Sequence, residues 1–197
     1  MPETTDVAAR NEALEGEIRA KHEELLELRK SLGPEVVEDF ALLDSEGHPT
    51  KLSSLFGDKQ DLIVIHNMGS ECPYCTLWAD GFNGVLPHIE DRAAFVVVSP
   101  DPTEVQSEFA EGRGWKFRMY SDSDKRFTSQ MGFTTEHEGR LYMLPGYSTF
   151  KRHPDGTVFR IAHDQFGPGD PYCSIWHLYG MLDGGIGAWQ PRFEYPV

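Results

Sequence analysis

The chain has 197 residues with 32 acidic against 18 basic, a net charge of −14 and only 3 cysteines. That length fits one domain, or one domain plus an appendage, and buries roughly 70% of the unfolded surface, so its core needs no disulfide staples and an odd, small cysteine count argues against a stapled secreted framework. The acidic balance repels a phosphate backbone and argues against nucleic acid, no run approaches the roughly 20 apolar residues of a membrane span, and the acidic start "MPETTDVAAR" carries no apolar leader, so a soluble cytoplasmic protein is expected.

Residues 6–32 are rich in Glu, Ala, Leu, Lys and Arg, and Val7, Leu14, Ile18, Leu25, Leu28 and Leu32 recur at spacings of three, four and seven. That is one apolar stripe of a helix, stopped by Gly33-Pro34. The stripe fits a short heptad seam with Lys21 at a core-type position, which suits a homodimer, and it fits equally a helix packed on its own domain. The reading divides the chain into an N-terminal helix over 1–33 and a second domain over 34–197.

From residue 35, "VVEDFALLDSEGHPTKLSSLFGDK" reads as two short strands around a Ser-Glu-Gly turn, followed by a loop. "DLIVIHNM" is apolar almost throughout, as central parallel strands are. Then come Cys72 and Cys75, a helix with Trp78, Phe82, Val85 and Ile89 on one face, the buried strand "AAFVVVSPD" and the helix "PTEVQSEFAEGRG". "KFRMYSD" reads as a strand and "DKRFTSQMGF" as a short helix. "GYSTFKRHPDGTVFRIAH" is a hairpin turning at Pro154-Asp155-Gly156, and "PYCSIWHLYGMLDGGIGAW" reads as a closing helix. With right-handed crossovers this order describes a three-layer α/β sandwich with a mixed central sheet.

Cys72-Pro73-Tyr74-Cys75 follows the first central strand. Pro73 suits the first helical position, which makes Cys72 the N-cap, and the free N–H groups and helix dipole there favour its thiolate. Cys75, one turn inward, lies within disulfide reach, so an outer attacking thiol and an inner resolving thiol are expected. Glu71 opposes this, since an adjacent negative charge raises a thiol pKa.

The layout of residues 35–165, strand, Cys-x-x-Cys, then "YSDSDKRFTSQMGF" ahead of the hairpin, resembles the peroxiredoxins and related members of the thioredoxin-like superfamily. More narrowly, "CPYCTLWADGFNGVLPH", "LPGYSTF", "DGTVFR" and "LYGMLDG" are similar to the bacterial family catalogued as domain of unknown function 899, with the Trp-Ala-Asp-Gly-Phe-x-Gly run from Trp78 to Gly84 the most specific part. The resemblance implies a thioredoxin-like fold with an N-terminal helical extension and matches Cys72 and Cys75 to the redox pair. It places Pro145 where such folds carry a cis-proline facing the disulfide. It also puts His66 where thioredoxin has a buried acid that moves the inner thiol's proton; a hydrogen-bonded core histidine is the other reading. The motif Cys-Pro-Tyr-Cys is also that of glutaredoxins, though bulky Trp78 departs from their open helix face. The peroxiredoxin signature, a proline and a Thr or Ser seven and three residues before the cysteine, is absent: Gly69 and Cys72 occupy the Thr positions for Cys72 and Cys75.

The leading expectation is a thiol–disulfide oxidoreductase acting on a protein or small-molecule disulfide, with no cofactor, catalytic Cys72 and Cys75, and supporting His66, Pro73, Tyr74, Trp78 and Pro145. A second reading is zinc held by Cys72, Cys75, Cys173 and His177, a chemically complete set split across about a hundred residues. A third is a non-catalytic thioredoxin-like binding module. Cys173 reads as a buried apolar side chain or as a third redox thiol. His88, His163 and His177 read as pocket walls at most, and no glycine-rich phosphate loop is present.

Overall fold

The computed structural model describes residues 2–196, with side chains from residue 6, and divides into two compact units, Met1–Glu35 and Val36–Val197. The first is helix α1 (Pro2–Ser31). It ends as the residues dictate: Gly33 adopts φ 80° and its N–H closes on the Lys30 carbonyl at 3.1 Å. Lys21 with Glu24 and Lys30 with Glu27 pair along its surface at 2.6 and 2.9 Å, while Leu14, Ile18, Leu25 and Leu28 are all exposed. β1 (Glu35–Val36) lies at the boundary between the units.

The second unit continues with β2 (Ala41–Leu43), β3 (Pro49–Lys51), β4 (Asp61–His66), α2 (Pro73–Arg92), β5 (Ala94–Ser99), α3 (Thr103–Arg113), β6 (Arg118–Ser121), α4 (Arg126–Gln130), β7 (Thr134–His137), β8 (Arg140–Met143), β9 (Gly146–Arg152), β10 (Val158–Gln165) and α5 (Ser174–Gly180). One eight-stranded sheet runs in the order β1-β10-β9-β4-β5-β6-β2-β3. β4, β5 and β6 are parallel, while β9 lies antiparallel to β4 with Ile65 opposite Tyr147 and His66 opposite Gly146. The sheet is therefore mixed, with its parallel strands at the centre. All six residues of β5 are buried, as the unbroken apolar run requires of a strand covered on both faces.

Alternation along β4 assigns the two faces. Ile63 and Ile65 face the layer of α2, packing with Trp78, Phe95 and Phe166. Leu62 and Val64 face the opposite core with Phe127 of α4 and Phe150. This is the expected three-layer thioredoxin-like arrangement.

Two elements differ from the sequence reading. The hairpin β7–β8 is additional, a separate two-stranded sheet turning at Glu138 and Gly139, both at positive φ. The closing helix stops at Gly180, and the stretch after it forms turns, with Gly185 and Gly187 at positive φ that a continuing helix does not allow. No helix of the described residues is long and apolar enough to cross a membrane.

Candidate active site

The loop between β4 and α2 is built by its own polar side chains. The amide of Asn67 extends the β4–β5 ladder to the Val98 carbonyl at 2.8 Å, and the Asn67 side-chain oxygen then accepts the Gly69 N–H at 2.8 Å. Gly69 takes φ +115°, and a Cβ there would stand 2.8 Å from Oδ1 of Asp101, so only glycine fits this turn. Asp101 Oδ2 accepts the Ser70 amide at 2.7 Å, and Cys72 N–H donates to the Gly69 carbonyl at 3.2 Å. The loop thereby delivers Cys72 to the start of α2 in extended conformation (φ −99°, ψ 104°), with Pro73 as the first helical residue.

Cys72 is the helix N-cap, its Sγ accepting the Cys75 amide at 3.1 Å and its carbonyl accepting both the amide and the hydroxyl of Thr76. Its thiol pKa falls from an ordinary 9.0 to about 7. The first cause is the Cys75 thiol, which donates to the Cys72 sulfur; burial opposes, and the Cys75 and Tyr74 amides add to the lowering. Those hydrogen bonds prevail over burial, and the neighbouring Glu71 is not among the groups that set this shift. Cys75 is buried and its pKa is pushed well up, first because its proton is shared with Cys72 and then by burial. The half-buried thiol is thus the acidic one and the buried thiol holds its proton, the asymmetry that thiol–disulfide exchange needs.

The remaining candidates are distributed unevenly. Tyr74 stacks on Trp176 at 6.2 Å, and Trp78 is buried between Phe166 at 5.3 Å and Trp176 at 6.2 Å, so both form the aromatic wall behind the pair. Cys173 is buried in the same cluster as a free thiol, its pKa raised by burial. His66 alternates to the other face of the sheet. It stacks on Phe133 at 3.9 Å and Phe127 at 5.5 Å, and its Nε2 meets the Ser148 hydroxyl at 3.0 Å. Burial, then the charges of Arg160 and His163, lower its pKa to about 3. It is the hydrogen-bonded core histidine, and the thiols are not among the groups that set its charge.

Pro145 departs from expectation, because no peptide bond among the described residues is cis; its carbonyl accepts the Phe166 amide at 2.9 Å and starts the β9–β10 pairing. The zinc set is not assembled either. Among the described residues no three His, Cys, Asp or Glu side chains converge to hold a metal, and His177 Nε2 meets the Asp170 carbonyl at 3.2 Å. Cys173 is the buried N-cap of α5, whereas His177 lies exposed on that helix.

Two residues that the sequence did not single out organise the surroundings. Asp101 anchors the loop as described. Asp80, inside the Trp-Ala-Asp-Gly-Phe run, accepts Arg113 Nε at 3.1 Å and Trp115 Nε1 at 2.8 Å and also pairs with Arg113 Nη2. Arg113 in turn donates to the Phe193 carbonyl at 2.8 Å, which ties α2, α3 and the C-terminal segment together.

Comparisons with known proteins bear on the family and the fold. A family model described as a bacterial protein of unknown function (DUF899) matches residues 4–185. A Mycobacterium tuberculosis protein named "Putative peroxiredoxin" is 30% identical over 133 residues, covering 67% of this chain and 85% of that protein. The crystal structure of peroxidoxin BcpB from Mycobacterium tuberculosis superposes with a TM-score of 0.56 at 28% identity, covering 67% of this chain and 84% of that one. The PrxQ structure of Xylella fastidiosa, at 19% identity and a TM-score of 0.58 over 72% of this chain and 90% of its own, shares the fold. The chain therefore belongs to the bacterial DUF899 family and carries the thioredoxin-like fold of the peroxiredoxins.

Proposed function

We propose that the protein is a thiol–disulfide oxidoreductase in which Cys72 attacks and Cys75 resolves. The observation that carries this is the pair itself: Cys72 Sγ accepts the Cys75 amide at the start of α2, with its pKa near 7, while Cys75 keeps its proton. The Cys72 thiolate attacks one sulfur of a substrate disulfide, forming a mixed disulfide and releasing the other sulfur as a thiolate, which takes a proton. Losing its negative partner frees Cys75 to give up its proton; it then attacks Cys72 Sγ, leaving a Cys72–Cys75 disulfide and releasing the second substrate thiol. Two electrons and two protons pass to the substrate, and an external dithiol restores the pair.

Thiol redox chemistry is also what the relatives' names point to, and those names favour a second substrate: a peroxide, attacked by Cys72 to give a sulfenic acid that Cys75 converts to the same disulfide. Gly69, three residues before Cys72, offers no hydroxyl to hold a peroxide oxygen, which is why the disulfide substrate is preferred here. A working pair of this kind suits the reducing cytoplasm, with regeneration by a cellular dithiol. The exposed apolar stripe of α1 supports a second copy as its partner, read by sedimentation of the wild type against Ile18→Glu/Leu25→Glu.

The test of the reaction is trapping. Reduced Cys75→Ser mixed with a peptide cystine is expected to stop at a mixed disulfide on Cys72, seen by mass spectrometry, whereas the wild type releases two substrate thiols per chain. Reaction with hydrogen peroxide alone, and none with the cystine, would replace the disulfide reading with the peroxide one.

A further inference from the structure

A groove of about 540 Å³ opens at Ser70, two residues before Cys72, and runs between α3 and the C-terminal segment. On α3, Val105, Phe109 and Gly112 recur at four and three and share one helical face, with Glu108 beside them. Phe193 and Glu194 form the opposite wall. That wall is fixed, because Arg113 holds the Phe193 carbonyl at 2.8 Å and the Phe193 ring meets Phe109 edge-on at 6.1 Å.

The electrostatics of this groove are one-sided. Arg113 is the cation in its lining, and its Nε and Nη2 pair with the Asp80 carboxylate, so its charge is matched. Glu108 and Glu194 are exposed and form no ion pair among the described residues. Glu104, one turn earlier in the first turn of α3, adds a third carboxylate on that side of the helix. An apolar floor between unmatched carboxylates therefore ends at Ser70, two residues before Cys72 in the chain.

We propose that this groove seats the polypeptide segment flanking the cystine of a protein substrate, with an apolar side chain against Phe109 and Phe193 and lysine or arginine against Glu108 and Glu194. The inference rests on the thiol–disulfide reading of Cys72 and Cys75, for which it names the substrate class. Two residues of chain reach at most about 7 Å, so the Ser70 end of the groove is the part that would hold the residues nearest the cysteine that Cys72 attacks. Complementary charge raises encounter rates and is screened by salt, which supplies the signature to look for.

The experiment uses the full-length reduced protein and two synthetic cystine peptides identical except for flanks of Lys-Phe-Lys or Glu-Phe-Glu. Oxidation of Cys72 and Cys75 by the cationic peptide is expected to be at least about tenfold faster at low salt, with the gap narrowing at high salt. Glu108→Gln/Glu194→Gln should bring the two rates within about twofold, whereas Glu90→Gln/Glu136→Gln, which removes the same charge outside the groove, should preserve the preference. Equal rates in the wild type, or a preference that survives the groove substitutions, would overturn the proposal. Reaction with hydroxyethyl disulfide reports redox competence separately. If the wild type reacts with no disulfide at all, the oxidoreductase reading fails, and the groove is judged by calorimetric binding of the same peptides with serine for cysteine. Binding of the cationic form that Glu108→Gln/Glu194→Gln weakens about tenfold then supports the groove, and absence of such binding overturns it.

Discussion

The carboxylate of Asp101 holds the amide of Ser70 at 2.7 Å, and through it the loop that presents Cys72. Replacing Asp101 has two opposed effects on that thiol. Removing a nearby negative charge lowers its pKa, whereas releasing the loop loosens the Cys75 N–H to Cys72 Sγ bond of 3.1 Å and raises it. The anchoring role predicts that Asp101→Ala raises the Cys72 pKa above 7 while Asp101→Asn, which keeps an acceptor for Ser70, leaves it near 7 or lower. Thiolate absorbance followed against pH reads the sign, and a fall in the alanine variant would mean that Asp101 acts only as a charge.

Alkylation of Cys72 by iodoacetamide should rise about tenfold per pH unit below pH 7 and level off above it, because the thiolate is the reacting form. Cys75→Ala removes the thiol that donates to Cys72 and is expected to move the midpoint up towards 9.0, whereas Cys75→Ser keeps a donor and most of the lowering. Since the folded pKa lies below the unfolded one, the stability this thiolate contributes is fully present above about pH 9 and lost as pH falls through 7.

His66 is expected to stay neutral throughout neutral and mildly acidic pH, its ring signals in NMR not titrating between about pH 5 and 8. The unfolded chain protonates this histidine below pH 6.5 and the folded chain only near 3, so the unfolded state binds the extra proton between those values. Stability therefore drops as pH falls from 6.5 towards 3, by at most about 5 kcal/mol from this group. Urea titrations of the wild type and His66→Gln over that range should show a steeper acid loss in the wild type.

Asp80→Ala leaves Arg113 and Trp115 without their shared acceptor, and Arg113 is only 23% exposed in its side chain. A loss of about 2–3 kcal/mol is expected from thermal unfolding, together with release of the C-terminal segment that Arg113 holds. Asp80→Asn, which keeps the indole acceptor but not the ion pair, should fall between.

The path of the chain was legible where a single physical signal dominates. The apolar runs of β4 and β5, the stop at Gly33 and the Pro154-Asp155-Gly156 turn all stand where their periodicity and turn chemistry put them. The placement of Cys72 followed from Pro73, whose fixed φ and missing N–H suit the first turn of a helix. What was not legible depends on side chains that meet across the fold. A strand buried on both faces gives no polar marker of which face His66 takes, so its separation from the thiols emerged only from packing against Phe127 and Phe133. The β7–β8 hairpin turns on Glu138-Gly139 rather than on Asn-Gly or Asp-Gly, which weakens its signal. Asp80 and Asp101 look like ordinary surface acids until Arg113, 33 residues on, and Ser70, 31 residues back, are brought to them.

The thiol–disulfide equilibrium of Cys72 and Cys75 is the decisive quantity. The full-length protein is brought to balance with a graded series of reduced and oxidised dithiothreitol or glutathione, and the cystine content is mapped by mass spectrometry. A reversible two-electron couple between about −180 and −300 mV, with the bond joining Cys72 to Cys75 and Cys173 left free, is the predicted result. Thiols that show no reversible Cys72–Cys75 bond across the series would contradict it.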